Sequence, residues 1–439
     1  MKAASRTSAS QPQSSTVPTL GEAFEDGTLI ELIRKEHGST ELLLLLRQGK
    51  KQGIARVHRL AAGTYVPADL PTGLLRCTTL PARSADYRSP ASLFGRLVEL
   101  LRTRCGCEPR EAKLAAYFAL ASHFSDCLDV APCLGVIAAE EVAGRNLLRV
   151  LACLCRHSLL LADLRSAGMW KLPRGLCPTL LLSKSMLSSA TVSALRASQH
   201  RGFGVLQCDG VVDACCAKAI LIDDDTPEEL RRLCSTEIYL PPTQCAATAL
   251  DESTLRNIAN CFQPILLQYR MENHAAVRRS TFDVPEFTGA TRLAARIFGS
   301  CVANDPELEA GVVAVLKAQD ESARGTRWMR LDSLVVEALL VPCHENKQAV
   351  HVGEVEKLVN MILEGRGESI KVKARKVGAV LRSLSLLSVR DNRGYGFLLS
   401  KETRRAIHQL GRALEVPTLK KGVDGCELCA EIAPDAGRK

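Results

Sequence analysis

The stretch from Cys133 to Leu164, CLGVIAAEEVAGRNLLRVLACLCRHSLLLADL, constrains the fold more than any other part of the chain. An apolar run, Leu134 to Ala138, leads into a short acidic segment ending in a glycine, Glu140 to Gly144. Arg145 to Arg156 then carries Leu147, Leu148, Val150, Leu151 and Leu154 at the spacing of one helical face. A second apolar run, Leu159 to Leu161, closes the unit. Further apolar runs follow: Thr179 to Leu182, Val205 to Gln207, Ala219 to Ile222 and Glu237 to Leu240. They alternate with helix-like segments such as Thr191 to Ser198. This alternation predicts a mostly parallel sheet with helices packed against it.

A glycine-rich turn at a helix N-terminus aims backbone N–H groups at phosphate, and a P-loop NTPase begins with this order of elements. Laid over G-x-x-x-x-G-K-[ST], the window from Ala139 to Asn146 reads A-E-E-V-A-G-R-N. Gly144 keeps the second glycine, Arg145 stands at the lysine position, and Asn146 takes the place of the Mg²⁺-binding hydroxyl. Glu140 and Glu141 lie where a polyphosphate would, and like charge repels it. The window by itself fits an ordinary βαβ unit with a chance glycine equally well. A second test is the strand that should end in a metal-holding acid. Pro178 to Leu182 is such a strand, and it ends in Ser183-Lys184, where a lysine opposes a cation. The reading is a P-loop framework without its nucleotide chemistry. Gly144, Arg145, Asn146, Ser183 and Lys184 mark the former nucleotide-binding positions, no catalytic residue is assigned, and neither ATP nor Mg²⁺ is expected. Asp223-Asp224-Asp225 reads as a solvated loop capping a helix rather than a substitute Mg²⁺ site.

From about Ser92 to Thr243 the chain resembles a phage and bacterial P-loop domain of uncharacterised function, found beside or fused to primase and helicase modules. The matching positions are Gly144-Arg145-Asn146, Pro178 to Lys184, Gln199-His200-Arg201-Gly202 and Thr226 to Cys234. Framework residues carry over: Gly144, Pro178, Thr179, Arg201, Gly202, Pro227 and Leu230. The chemical ones do not, and the arginine expected to act as a finger aligns with Leu233, beside Arg231 and Arg232. The resemblance covers about a third of the chain and implies an NTPase-like module of replication or mobile-element biology, here catalytically silent.

Charge singles out a second region. The net charge is +9, yet Lys371 to Arg405 alone carries +8, ten Lys/Arg against two acids. A local basic patch points to nucleic acid or another polyanion. Two helices, a basic third helix (Val372 to Leu384) and a hairpin turning at Asp391 to Gly394 predict a winged helix-turn-helix. Lys371, Lys373, Arg375, Lys376 and Arg382 belong to that helix or its approach, Arg390 and Arg393 flank the turn, and Tyr395 sits at the wing. These are the candidate DNA-binding residues. Nothing in the pattern specifies bases.

The whole chain is read as a disordered tail (1–19), a small α+β module (20–82), the α/β P-loop NTPase-like domain of RecA/AAA type (90–243), a helical region (250–325), the winged-helix domain (326–415) and a cysteine-containing tail (416–439). In the small module, Thr28 to Glu36 and Thr40 to Arg47 are expected to be helices. The 18 cysteines lie mostly in apolar runs, no secretory signal is visible, and no apolar stretch is long enough for a membrane. Reduced thiols in a cytoplasmic protein are expected. Cys426-x-x-Cys429 is half a zinc site; the nearest further ligands in sequence are His408, Cys343 and His344. Lacking a second C-x-x-C, the pair reads as a partner-docking or dimer-bridging element, with zinc the lesser alternative. DNA is the expected partner, alongside a replication-type protein or self-association. Two other readings stay open: a working ATPase using Arg145 and an acid such as Asp163 or Asp223, and a transcriptional regulator whose central domain senses a ligand or oligomerises.

Overall fold

The computed structural model describes residues 16–36, 39–173, 175–183, 187–207, 210–242, 249–386, 389–391, 394–420 and 426–432. The chain divides into two compact units, Met1–Lys317 and Ala318–Lys439. No described helix is long and apolar enough to cross a membrane.

The first unit opens with strands, beginning at β1 (Thr16–Thr19), inside the tail expected to be disordered. There follow β2 (Gly21–Ala23), β3 (Leu29–Arg34), β4 (Leu42–Gln48), β5 (Lys51–Ala55), β6 (His58–Leu60) and β7 (Gly63–Pro67). They form a three-stranded sheet, β1-β7-β6, and an antiparallel meander, β2-β3-β4-β5. The two helices expected here are therefore strands β3 and β4. A five-leucine run has no period of its own, so helix propensity alone misreads it. Tertiary burial decides the matter: Ile30, Leu32 and Leu44 enter one apolar cluster, while Leu29, Ile33 and Leu45 enter another with Leu267 and Met271. Gly49, at φ 59°, makes the turn between β4 and β5. Among the described residues of this module the one helix is the short α1 (Thr72–Cys77).

Helices α2 (Pro90–Cys105) and α3 (Pro109–Ser122) lead into the central sheet. Its elements are β8 (Cys133–Ala138), α4 (Glu141–Leu154), β9 (Ser158–Leu161), α5 (Ser166–Met169), β10 (Thr179–Leu182) and α6 (Ser189–Ala197). A hairpin, β11 (Val205–Gln207) and β12 (Gly210–Val212), precedes β13 (Lys218–Ile222), α7 (Glu228–Arg231) and β14 (Thr236–Leu240). The sheet is parallel throughout, in the order β14-β8-β13-β10-β9. Numbered along the chain, that is 5-1-4-3-2, a RecA/AAA-type arrangement. Alternate side chains serve two covered faces, as a buried parallel sheet requires. Leu134, Val136, Leu181 and Ile238 pack with α2, α3 and α4, whereas Leu180, Leu182, Ile220 and Ile222 pack with α6 and α7. Val205–Gln207 was expected in this sheet, but it pairs antiparallel with β12 instead. Three long helices follow: α8 (Glu252–Arg278), α9 (Gly289–Cys301) and α10 (Pro306–Trp328).

The second unit is mainly helical. In order come α11 (Leu331–His344), β15 (Ala349–His351), α12 (Val352–Gly365), α13 (Ala374–Ser383), β16 (Val389–Asp391), β17 (Gly394–Leu398), α14 (Lys401–Ala413), α15 (Pro417–Lys420) and α16 (Glu427–Ile432). The three strands form a small antiparallel sheet, β15-β17-β16. Leu339, Val355, Val359, Val377, Leu381, Phe397 and Ile407 share one core.

Candidate functional site

Three places in the fold carry candidate chemistry, beginning with the junction of β8 and α4. Only Ala139 and Glu140 separate strand from helix, because Glu141 to Gly144 are wound into the first helical turn. The Ala143 and Gly144 N–H groups donate to the Glu140 carbonyl at 3.0 and 3.3 Å, so these donors are spent inside the helix. Gly144 is buried against the sheet, and a Cβ there would collide with the Leu221 side chain and come within 3.2 Å of Ala138 Cβ. The glycine serves close helix–sheet packing. Arg145 is exposed and paired with Glu141 one turn back. Asn146 is buried, and its Oδ1 accepts from the Leu250 N–H at 3.2 Å, tying α4 to the approach of α8.

At the end of β10, the Ser183 N–H and hydroxyl both donate to the Leu161 carbonyl, at 3.0 and 3.3 Å. Lys184 lies outside the described residues. After β13, Asp223 Oδ1 accepts from the Thr226 hydroxyl at 2.8 Å, and Arg231 donates to the Asp223 carbonyl. A helix does follow this loop, but it is the single turn of α7, and its N-cap is Pro227 with no capping side chain, so the Asp225 cap read from the sequence is not formed.

The basic region forms the second place. Lys371 and Lys373 approach α13, with Lys373 at its N-cap. Arg375, Lys376 and Arg382 project from the helix, and all five cations are exposed, while Val377 and Leu381 are buried. Across the hairpin, Arg390 pairs in register with Tyr395, and its guanidinium lies 5.9 Å from that ring's centre. Tyr395 is 55% exposed. Arg393 lies outside the described residues.

The third place is the cysteine tail. Cys426 and Cys429 do not stand as half a site: His344, the last residue of α11, and His408, on α14, converge on them. His344 Nε2 lies 3.2 Å from His408 Nε2 and 3.3 Å from Cys429 Sγ; Cys426 Sγ lies 3.4 Å from His408 Nε2. All four candidate ligand atoms fall within 4.8 Å of one another. Cys343, the other residue considered, faces the core, and burial pushes its thiol up to about 12. Of the three further ligands that the sequence offers, the structure brings in His344 and His408 and leaves out Cys343. A second grouping, Asp126, Cys127 and His274, is differently occupied. Asp126 already accepts from Arg270 at 2.7 and 2.5 Å and faces His274 at 3.2 Å; burial raises the Cys127 thiol to about 12.

No family model matches the chain, and no curated protein is significantly similar to it in sequence. Among solved structures, the apo C-terminal region of NrS-1 aligns at 10% identity over 84% of this chain and 96% of that one, with a TM-score of 0.35. A full-length MCM homolog from Methanopyrus kandleri aligns at 13% identity over 67% and 77% of the two chains, with a TM-score of 0.33. Drosophila ORC bound to DNA aligns at 12% identity over 75% and 95%, with a TM-score of 0.20. Similarity at this level assigns no residue role.

Proposed function

We propose that this chain is a DNA-binding protein whose P-loop-type domain is a scaffold without nucleotide turnover, and whose working surface is a winged helix in the second unit. The order α11, β15, α12, α13, then the β16–β17 hairpin, supports that reading, with α13 as the recognition helix and the hairpin as the wing. The observation that carries it is the division of α13. Its apolar side holds the helix in the core, which leaves Lys371, Lys373, Arg375, Lys376 and Arg382 facing solvent. Such a row neutralises phosphates, and Tyr395 beside Arg390 offers a flat contact at the wing. The silent-scaffold half is supported by the helical first turn of α4 and by the structural hydrogen bond of Asn146. The replication or mobile-element setting comes from the sequence motifs alone.

The test is fluorescence anisotropy of labelled duplex and single-stranded DNA across a salt series. Duplex binding should weaken steeply with salt, at about 0.9 log units per log unit of salt for each phosphate contacted. The triple variant Arg375→Ala/Lys376→Ala/Arg390→Ala should flatten that slope by about three and weaken binding to all sequences alike. Absence of binding at low salt would overturn the proposal. A strong preference for one duplex would favour the transcriptional-regulator reading instead.

A further inference from the structure

The tail helix α16, Glu427–Ile432, has six residues, too short to be stable alone, and none of its described side chains is fully buried. Its ion pair to the unit, Arg405 with Glu431, is half exposed on both sides and contributes little. Something else must hold the tail.

We propose that His344, His408, Cys426 and Cys429 bind one Zn²⁺ in a closed tetrahedral site that fastens the C-terminal tail to the second unit. Zn–N bonds near 2.0–2.1 Å and Zn–S bonds near 2.3 Å imply ligand separations of about 3.3 Å between nitrogens and about 3.5 Å between nitrogen and sulfur. Three of the six observed separations match, at 3.2 Å for the nitrogens and 3.3 and 3.4 Å for two of the four mixed pairs, and the other three lie within 4.8 Å.

Hydrogen bonding among these four residues does not accommodate both ring nitrogens. An imidazole nitrogen has a single in-plane site, either a proton or a lone pair. His408 Nε2 is approached by both His344 and Cys426, and His344 Nε2 by both His408 and Cys429. Each nitrogen can serve one neighbour, whereas a cation at the centre serves all four ligands. Two thiolates would balance the charge of the ion.

The surroundings hold the ligands as a metal site requires. His408 Nδ1 faces the Arg404 carbonyl at 2.8 Å, an arrangement in which Nδ1 donates and Nε2 is left as the lone pair. The Arg404 guanidinium in turn donates to the Cys343 carbonyl at 2.9 Å, the Lys347 carbonyl at 2.7 Å and Asn346 Oδ1 at 2.8 Å. One arginine thus fixes the end of α11 against α14, and with it both histidines. Arg404 is a positioning residue.

The test uses the full chain prepared under reducing conditions without chelator. Elemental analysis should give one zinc per chain, and Cys429→Ser and His344→Ala should each lose it. Cys261→Ser, an exposed thiol elsewhere, should keep it. Replacement by Co²⁺ should produce the visible bands of a tetrahedral ion and thiolate charge transfer, which a merely misfolded variant cannot mimic. Arg404→Ala should retain the Co²⁺ spectrum but bind metal about 10–100-fold more weakly. A chain that takes up neither metal when reduced would overturn the proposal, as would a metal content unchanged in both ligand variants.

Discussion

Arg270 Nε donates to Glu31 Oε1 at 2.7 Å across 239 residues of sequence, where neither side chain reaches solvent. Arg156 completes the arrangement, with its Nη2 3.2 and 3.1 Å from the two carboxylate oxygens of Glu31. On its other side Arg270 reaches Asp126 at 2.5 Å. Two arginines and two carboxylates thus sit together inside the first unit, joining β3, the α3–β8 connection, the turn before β9 and the middle of α8.

Breaking this group on one side leaves a buried charge without its partner. Arg270→Met is expected to destabilise the first unit by about 3–5 kcal/mol, and Glu31→Gln by a similar amount. Urea unfolding followed by far-ultraviolet circular dichroism measures both. A loss below about 1 kcal/mol for each would mean that the group is solvated in solution.

Acid should erode stability in two stages. Burial lowers His123 to about 4 and His157 to about 3, from 6.5 in the unfolded chain. The unfolded state therefore takes up these protons first, and stability declines as the pH falls below 6.5. Glu31 acts lower. Burial alone would raise its pKa, but Arg156 and Arg270 outweigh that and hold it at about 2, down from 4.5. Its contribution is complete above pH 4.5 and is lost as the pH falls towards 2. Unfolding free energies from urea titrations should be level between about pH 7.5 and about pH 6.5, then fall towards about pH 4 with a slope approaching two protons. A flat series would show that neither histidine is buried neutral.

Gly144 offers a direct comparison of packing with phosphate binding. Gly144→Ala places a methyl group against Leu221 and Ala138 and is expected to cost about 1–3 kcal/mol. Neither the wild-type chain nor this variant should bind ATP with Mg²⁺ in a calorimetric titration. Saturable binding by the wild type would favour a working ATPase and overturn the silent-scaffold reading.

What could be read from the sequence depended on whether a segment carried its own period. The strands around Leu134, Leu180 and Ile220 were legible because short apolar runs stood between helices with a clear 3.6-residue face. Leu42 to Leu46 was not, since a run of identical residues becomes strand or helix only through its neighbours. In the second unit, α12, α13 and the hairpin followed from spacing and turn residues, whereas the three-residue β15 left no mark. The residues of the His/Cys cluster were legible one by one, but their convergence was not. His344 and Cys429 lie 85 residues apart, and only the packing of α11 against α14 brings their atoms together. The Glu31 group was equally invisible, because a lone acid in a strand looks the same whether it faces water or two arginines.

That group also bears on modularity. The N-terminal strands resemble a detachable appendage, yet β3 supplies the counter-charge for arginines that belong to the central sheet and to α8. A chain trimmed of these strands would keep Arg156 without its hydrogen-bonded carboxylate. The small β module and the central sheet therefore share one buried charge balance, and deleting the module is expected to cost the sheet the Glu31 half of it.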